Sequence, residues 1–79
     1  MILTADTIKT SERVEIMELD PCETGQRLAE MGFWPGKLIE LLVSAPWGDP
    51  MAFQIDNTII ALRKDEAKLI RVRAFTSAA

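Results

Sequence analysis

The sequence predicts a mainly β fold, a small five-stranded barrel with one short α-helix inserted after the first strand. Three observations carry that expectation. Five short runs show the alternation or β-branched enrichment of strands, while one stretch shows helix punctuation, all within 79 residues. A chain of this size hides only about 60–65% of its unfolded surface, so short strands must curl around a shared core. Apolar residues make up 48% of the chain, which supplies that core and argues against disorder. The chain reads as one domain, residues 1–79, with its core at about 8–73.

The elements follow in order. Residues 1–10 are mixed in character and read as a frayed start. Arg13–Leu19 (RVEIMEL) alternates, with Val14 and Ile16 on one face, and reads as the first strand. Asp20 then suits a helix cap, Pro21 the first helical position and Glu23 a capping-box carboxylate, with a start one turn later at Thr24 as the alternative. Leu28 and Met31 would face inward and Gln26, Arg27 and Glu30 outward, and Gly25 would allow close approach to a strand. Gly32 ends the helix.

Trp34–Lys37 (WPGK) has proline then glycine at its centre, which a type II turn requires. Leu38–Val43 is apolar on both faces except at Glu40 and reads as a strand that is central or covered on both faces. Ala45–Pro50 (APWGDP) separates it from Met51–Ile55, which alternates strictly. Asp56-Asn57 marks a tight hairpin to Thr58–Leu62. RKDEA (63–67) is helix-prone for about a turn, Leu69–Arg73 is the last strand, and the tail beyond Val72 reads as loose.

Composition excludes several functions. With no histidine, no tyrosine and one cysteine, the chain has no Cys/His zinc cluster, no internal disulfide and no His-based acid–base pair. The four glycines are dispersed among turns, so no phosphate-binding loop exists. Catalysis is not expected. A lone thiol suits a reducing compartment, and neither a signal peptide nor a membrane-length apolar run is read, so a cytoplasmic location is expected. Net charge is −3, with the mild basic excess confined to residues 41–79, which argues against nucleic-acid binding.

Two aromatic positions stand out as candidate docking surfaces. The helix end Met31–Gly32–Phe33–Trp34 and the loop Pro46–Trp47–Gly48–Asp49 each carry tryptophan, a residue enriched at interface hot spots. The plainer reading is that Phe33 and Trp34 plug a barrel end, whereas Trp47, in a short Pro/Gly loop, is expected to be exposed. Cys22 between Asp20 and Glu23 is a weak candidate for holding a transition metal; its plainer reading is a small buried residue beside a helix cap. Exposed aromatics and free strand edges would also allow self-association.

RLAEMGFWPG (27–36), APWGDP (45–50) and ALRKDEAKLIRV (61–72) together resemble the FeoA family, the small cytosolic component of bacterial ferrous iron uptake. The resemblance spans roughly residues 8–73. It implies an SH3-like barrel that binds the cytoplasmic, GTPase-containing part of the FeoB transporter. It would meet the membrane only through that partner, and iron(II) would be the transported ion rather than a cofactor. A peptide-binding SH3-like adaptor is the alternative, weakened by the absence of tyrosine. Two departures from the family pattern are visible. Thr10-Ser11-Glu12 stand where a glycine is common before the first strand, and Trp47 replaces a smaller aliphatic residue.

Overall fold

Alternation along the strands decides the architecture, because every inward-facing side chain must reach one small core. In the computed structural model, which describes residues 3–75, the strands are β1 (Leu3–Thr4), β2 (Arg13–Leu19), β3 (Leu38–Ser44), β4 (Met51–Ile55), β5 (Thr58–Leu62) and β6 (Ile70–Ala74). The helices are α1 (Glu23–Glu30) and the single turn α2 (Lys64–Ala67), and a 3-10 turn occupies Ala5–Thr7. All strand pairs are antiparallel, in the order β1-β6-β2-β3-β4-β5.

One face of this sheet is dry. Val14 and Ile16 of β2, Ile39 and Leu41 of β3, Met51, Phe53 and Ile55 of β4, and Ile70 and Val72 of β6 belong to a single buried cluster, with Leu28 and Phe33 laid against it. Each such aliphatic or aromatic side chain contributes about 1.5–3 kcal/mol by leaving water. A sheet whose inner residues form one cluster must curl. Its ladder runs from β1 to β5 without pairing those two edges, and α2 packs against the 3-10 turn beside β1.

The strand count is therefore six, not five, and the helix follows the second strand. The missed strand lies in the stretch read as frayed, where Leu3–Thr4 pairs with Arg71–Val72 and Ala5 and Ile8 are buried. Two-residue strands carry too little alternation to be seen in sequence. At the other end β6 continues to Ala74, and the Phe75 N–H donates to the Arg13 carbonyl at 3.4 Å. Residues 76–79 of the tail lie outside the described residues, as do 1–2 at the start. β3 is central in the sheet but not covered on both sides. A bulge between Leu41 and Val43 turns Val43 outward, where it is exposed.

The helix is capped differently from expectation. Cys22 is the N-cap, exposed, with its Sγ accepting from the Gly25 N–H at 3.4 Å, so Asp20 and Thr24 are not caps. Asp20 is drawn away by Arg71, whose Nη2 lies 2.5 Å from its carboxylate. The C-terminus meets expectation at Gly32, which takes φ +111 and donates to Ala29 at 3.0 Å while Phe33 N–H reaches Leu28 at 3.1 Å. This pair of reversed hydrogen bonds is a Schellman closure, sealed by buried Phe33 and Leu28. Met31 is the C-cap residue, not part of the inward stripe, and is exposed.

Gly25 is buried where the chain doubles back. A Cβ there would stand 2.0 Å from the Asp20 carbonyl oxygen at the end of β2. Helix propensity alone favours Gly25→Ala by about 1 kcal/mol. The structure reverses the sign, because backbone must move to admit the methyl. Gly25→Ala is expected to destabilise the chain by about 2–3 kcal/mol in urea denaturation.

Ser11 occupies the turn before β2 and takes φ +70, with its N–H donating to the Leu41 carbonyl at 2.7 Å. A side chain in this left-handed conformation costs about 1–2 kcal/mol, partly offset by the greater freedom that glycine loses on folding. Ser11→Gly is therefore expected to stabilise the chain by up to about 1 kcal/mol, read as a higher urea midpoint with an unchanged slope.

Candidate functional site

The loop between β3 and β4 is built as a rigid clip. Its Gly48 N–H donates to the Ala45 carbonyl at 2.7 Å, closing a turn with Pro46 and Trp47 at its centre. The Ala45 N–H reaches across to the Pro50 carbonyl at 3.1 Å. Gly48 takes φ +88 and the Asp49–Pro50 peptide bond is cis. The Asp49 carboxylate then accepts from the Lys64 N–H at 3.1 Å, binding the loop to the first turn of α2. Glu66 accepts from the Arg63 N–H at 2.8 Å, so the Arg63 and Lys64 donors at that helix start both have side-chain acceptors.

Locked in this way, the loop holds Trp47 outward with 76% of its surface exposed. Pro46 is exposed beside it, while Gly48 and Asp49 are half-buried. Asp49 is thus committed to holding the loop in place. The Lys64 Nζ lies close over Gly48, 3.9 Å from where a Cβ would stand, which gives the loop a cationic neighbour. Sequence reading did not associate Lys64 with this loop, since only the tertiary contact brings position 64 to position 49.

At the helix end the four candidates separate. Phe33 is fully buried and belongs to the core. Trp34 is 57% exposed, with its indole N–H donating to the Ala29 carbonyl. Met31 is 47% exposed and Gly32 half-buried. Phe33 alone serves as the plug, and the surface is formed by Met31 and Trp34. The Trp34–Lys37 turn beyond them closes with the Lys37 N–H on the Trp34 carbonyl at 3.0 Å.

These two aromatic surfaces do not form one patch. The helix end precedes β3 and the Trp47 loop follows it, so roughly 20 Å of seven-residue strand lies between them.

Cys22 has no metal-binding company. Asp20 is paired to Arg71, and no group of three His, Cys, Asp or Glu side chains comes together among the described residues. Arg71 is held further toward its charged form by Glu18 first and Asp20 second. With Arg73 bonded to Glu15 at 3.0 Å, it forms a ladder of ion pairs across the outer face of β2 and β6.

On the opposite half of the sheet the outer face changes character. Register places Val43, Ala52 and Ala61 side by side across β3, β4 and β5. With Ser44, Ala45, Pro50 and Met51 they line a shallow groove of about 220 Å³ below the Trp47 loop. No candidate from the sequence lay in this groove, because the bulge that exposes Val43 leaves no mark on the apolar pattern.

Residues 3–74 match the profile of the FeoA domain. The chain is similar to a FeoA-like protein of Clostridium acetobutylicum, with TM-score 0.88 and 25% identity over 99% of this chain and 92% of that one. It is similar to iron(II) transport protein A of Clostridium thermocellum, with TM-score 0.85 and 37% identity over 91% of this chain but 45% of that one. A third similar structure is FeoA of Stenotrophomonas maltophilia in complex with zinc, with TM-score 0.81 and 25% identity over 90% of this chain and 89% of that one. That protein is described as a prokaryotic SH3 domain protein and a possible activating factor of ferrous iron transport. No curated protein matches by sequence.

If Asp49 holds the loop by accepting from Lys64, Asp49→Ala should cost about 1 kcal/mol, and Asp49→Asn, which keeps an acceptor, a few tenths. Paired denaturation curves check this order.

Proposed function

The chain belongs to the FeoA domain family, and from that premise we propose that it is a cytoplasmic binding module, not an enzyme, that docks on the GTPase-containing region of a FeoB-type transporter and modulates iron(II) import. Support comes from the family, from the iron-transport roles named for its structural relatives, and above all from Trp47. An exposed indole on a backbone fixed by its own hydrogen bonds is preorganised for contact, so little loop entropy is lost on binding. Tryptophan at such a position has the properties of a hot-spot anchor.

The module would act on equilibrium rather than on chemistry. A bound domain shifts the nucleotide state or gating of its partner only as far as its affinity for the two states differs. A tenfold difference corresponds to about 1.4 kcal/mol, within reach of one buried aromatic contact. No membrane-length apolar helix occurs among the described residues, so attachment to the membrane would pass through the partner.

The test is capture of the transporter's cytoplasmic region by wild type, Trp47→Ala and Met31→Ala. Trp47 and Met31 are both exposed, so both variants should keep the wild-type melting temperature. Trp47→Ala is expected to weaken binding by about 30-fold or more. Because the two positions lie at opposite ends of β3, a loss confined to one variant assigns the docking end. Full binding by both folded variants would reject the proposal.

A further inference from the structure

The two edges of the sheet are treated unequally. At one edge β1 covers two of the described residues, Leu3–Thr4, a short edge for pairing. At the other, β5 presents five residues, Thr58-Ile59-Ile60-Ala61-Leu62, with neither charge nor proline, and no bulge interrupts its pairing with β4. Such an edge lacks the usual protections against strand addition. The two-residue Asp56-Asn57 turn makes Ile55–Thr58 a hydrogen-bonded pair, and alternation puts Phe53–Ile60 and Met51–Leu62 in the same class. The N–H and C=O groups of Ile59 and Ala61 therefore point away from β4 to the open side.

We propose that the β5 edge pairs with β5 of a second copy of this chain, antiparallel and centred on Ile60. In that register Ile59 faces Ala61 of the second copy, and the two exchange both backbone hydrogen bonds, as do their symmetry mates. The flanks agree in charge. The Asp56-Asn57 turn of each copy, whose Asp56 carboxylate also meets Lys37 of its own chain at 2.9 Å, comes toward the Arg63-Lys64 segment of the other, where β5 gives way to α2, so an acid faces a base at both ends. A shift of two residues either way loses this match, setting Asp56 against Leu62 or against Glu66.

Shape agrees as well. Ile59 is 65% exposed, and its opposite number Ala61 is small and lines the shallow groove shared with Val43 and Ala52. Each isoleucine would therefore extend the apolar row of the other copy, covering surface that is open in a single chain. The pairing is self-complementary, as a two-fold contact requires.

Sedimentation of the full chain over a concentration series tests the proposal, with dimer expected to accumulate as concentration rises. Ile59→Lys alters an exposed side chain and adds a charge to the edge, so it should fold normally and raise the dimer dissociation constant about tenfold or more. In a Cys22→Ser background, Ile60→Cys should form an intermolecular disulfide on mild oxidation, since centre residues of an antiparallel pair lie about 4.5–5.5 Å apart. The more exposed Ile59→Cys should not, because its counterpart lies beyond the roughly 7 Å limit for a disulfide. A chain that stays monomeric to millimolar concentration, or a dimer indifferent to Ile59→Lys, would overturn the proposal. So would loss of transporter binding by Ile59→Lys in a chain that never dimerises, which would give the edge to an extended segment of the partner.

Discussion

The interior of this protein is one shared apolar cluster, and the sheet has no second layer on which to lean. Its strands must therefore present their inward residues to one another across a curl, as Val14, Ile39, Phe53 and Val72 do from four different strands. Other features follow from that demand. The bulges at Ile16/Glu18 in β2 and Leu41/Val43 in β3 sharpen the bend that closure needs. Residues 3–8 add Ala5 and Ile8 to the core beside β6. The eight-residue helix contributes one buried apolar side chain, Leu28, with Phe33 folded beneath by the Schellman closure.

Because the inner face is wholly apolar, chemistry can reside only on the outside, and the outer face divides in two. Across β2 and β6 it is a lattice of opposite charges, with Arg71 and Arg73 satisfied by Glu18, Asp20 and Glu15. Exposed pairs of this kind contribute little to stability, but they keep that half hydrated and hard to dock upon. Across β4 and β5 the outer face is apolar at Ala52, Ala61 and Ile59, with Gln54 its polar position, and it ends in a strand without charge. The division gives the molecule one side suited to water and one suited to contact.

The Trp47 loop rises at the margin of the apolar side. Its rigidity comes from outside itself: a carboxylate from the loop satisfies a backbone donor of α2, fifteen residues further along the chain. Asp49 thereby links the loop's shape to the folding of the segment before β6. A tryptophan on such a mount differs from one on a mobile loop, since the binding partner need not supply the cost of ordering its backbone.

Much of this was legible in the residues themselves. The strict alternation of Met51–Ile55 and the Asp56-Asn57 turn specify a hairpin, and Gly32 specifies a helix stop, because period and positive φ are local properties of the chain. Three spaced motifs carried the family, and the exposure of Trp47 followed from a loop too short to fold back. Tertiary structure decided what depends on distant atoms. Leu3–Thr4 is a strand only because β6 offers an edge, and Cys22 rather than Asp20 caps the helix because Arg71 claims the carboxylate from 51 positions away. Gly25 is required by the Asp20 carbonyl that meets it, not by the helix in which it sits. Val43 faces water because a bulge inverts the alternation that would bury it. In each case the sequence sets the local preference, and a competing contact across the fold settles which preference is realised.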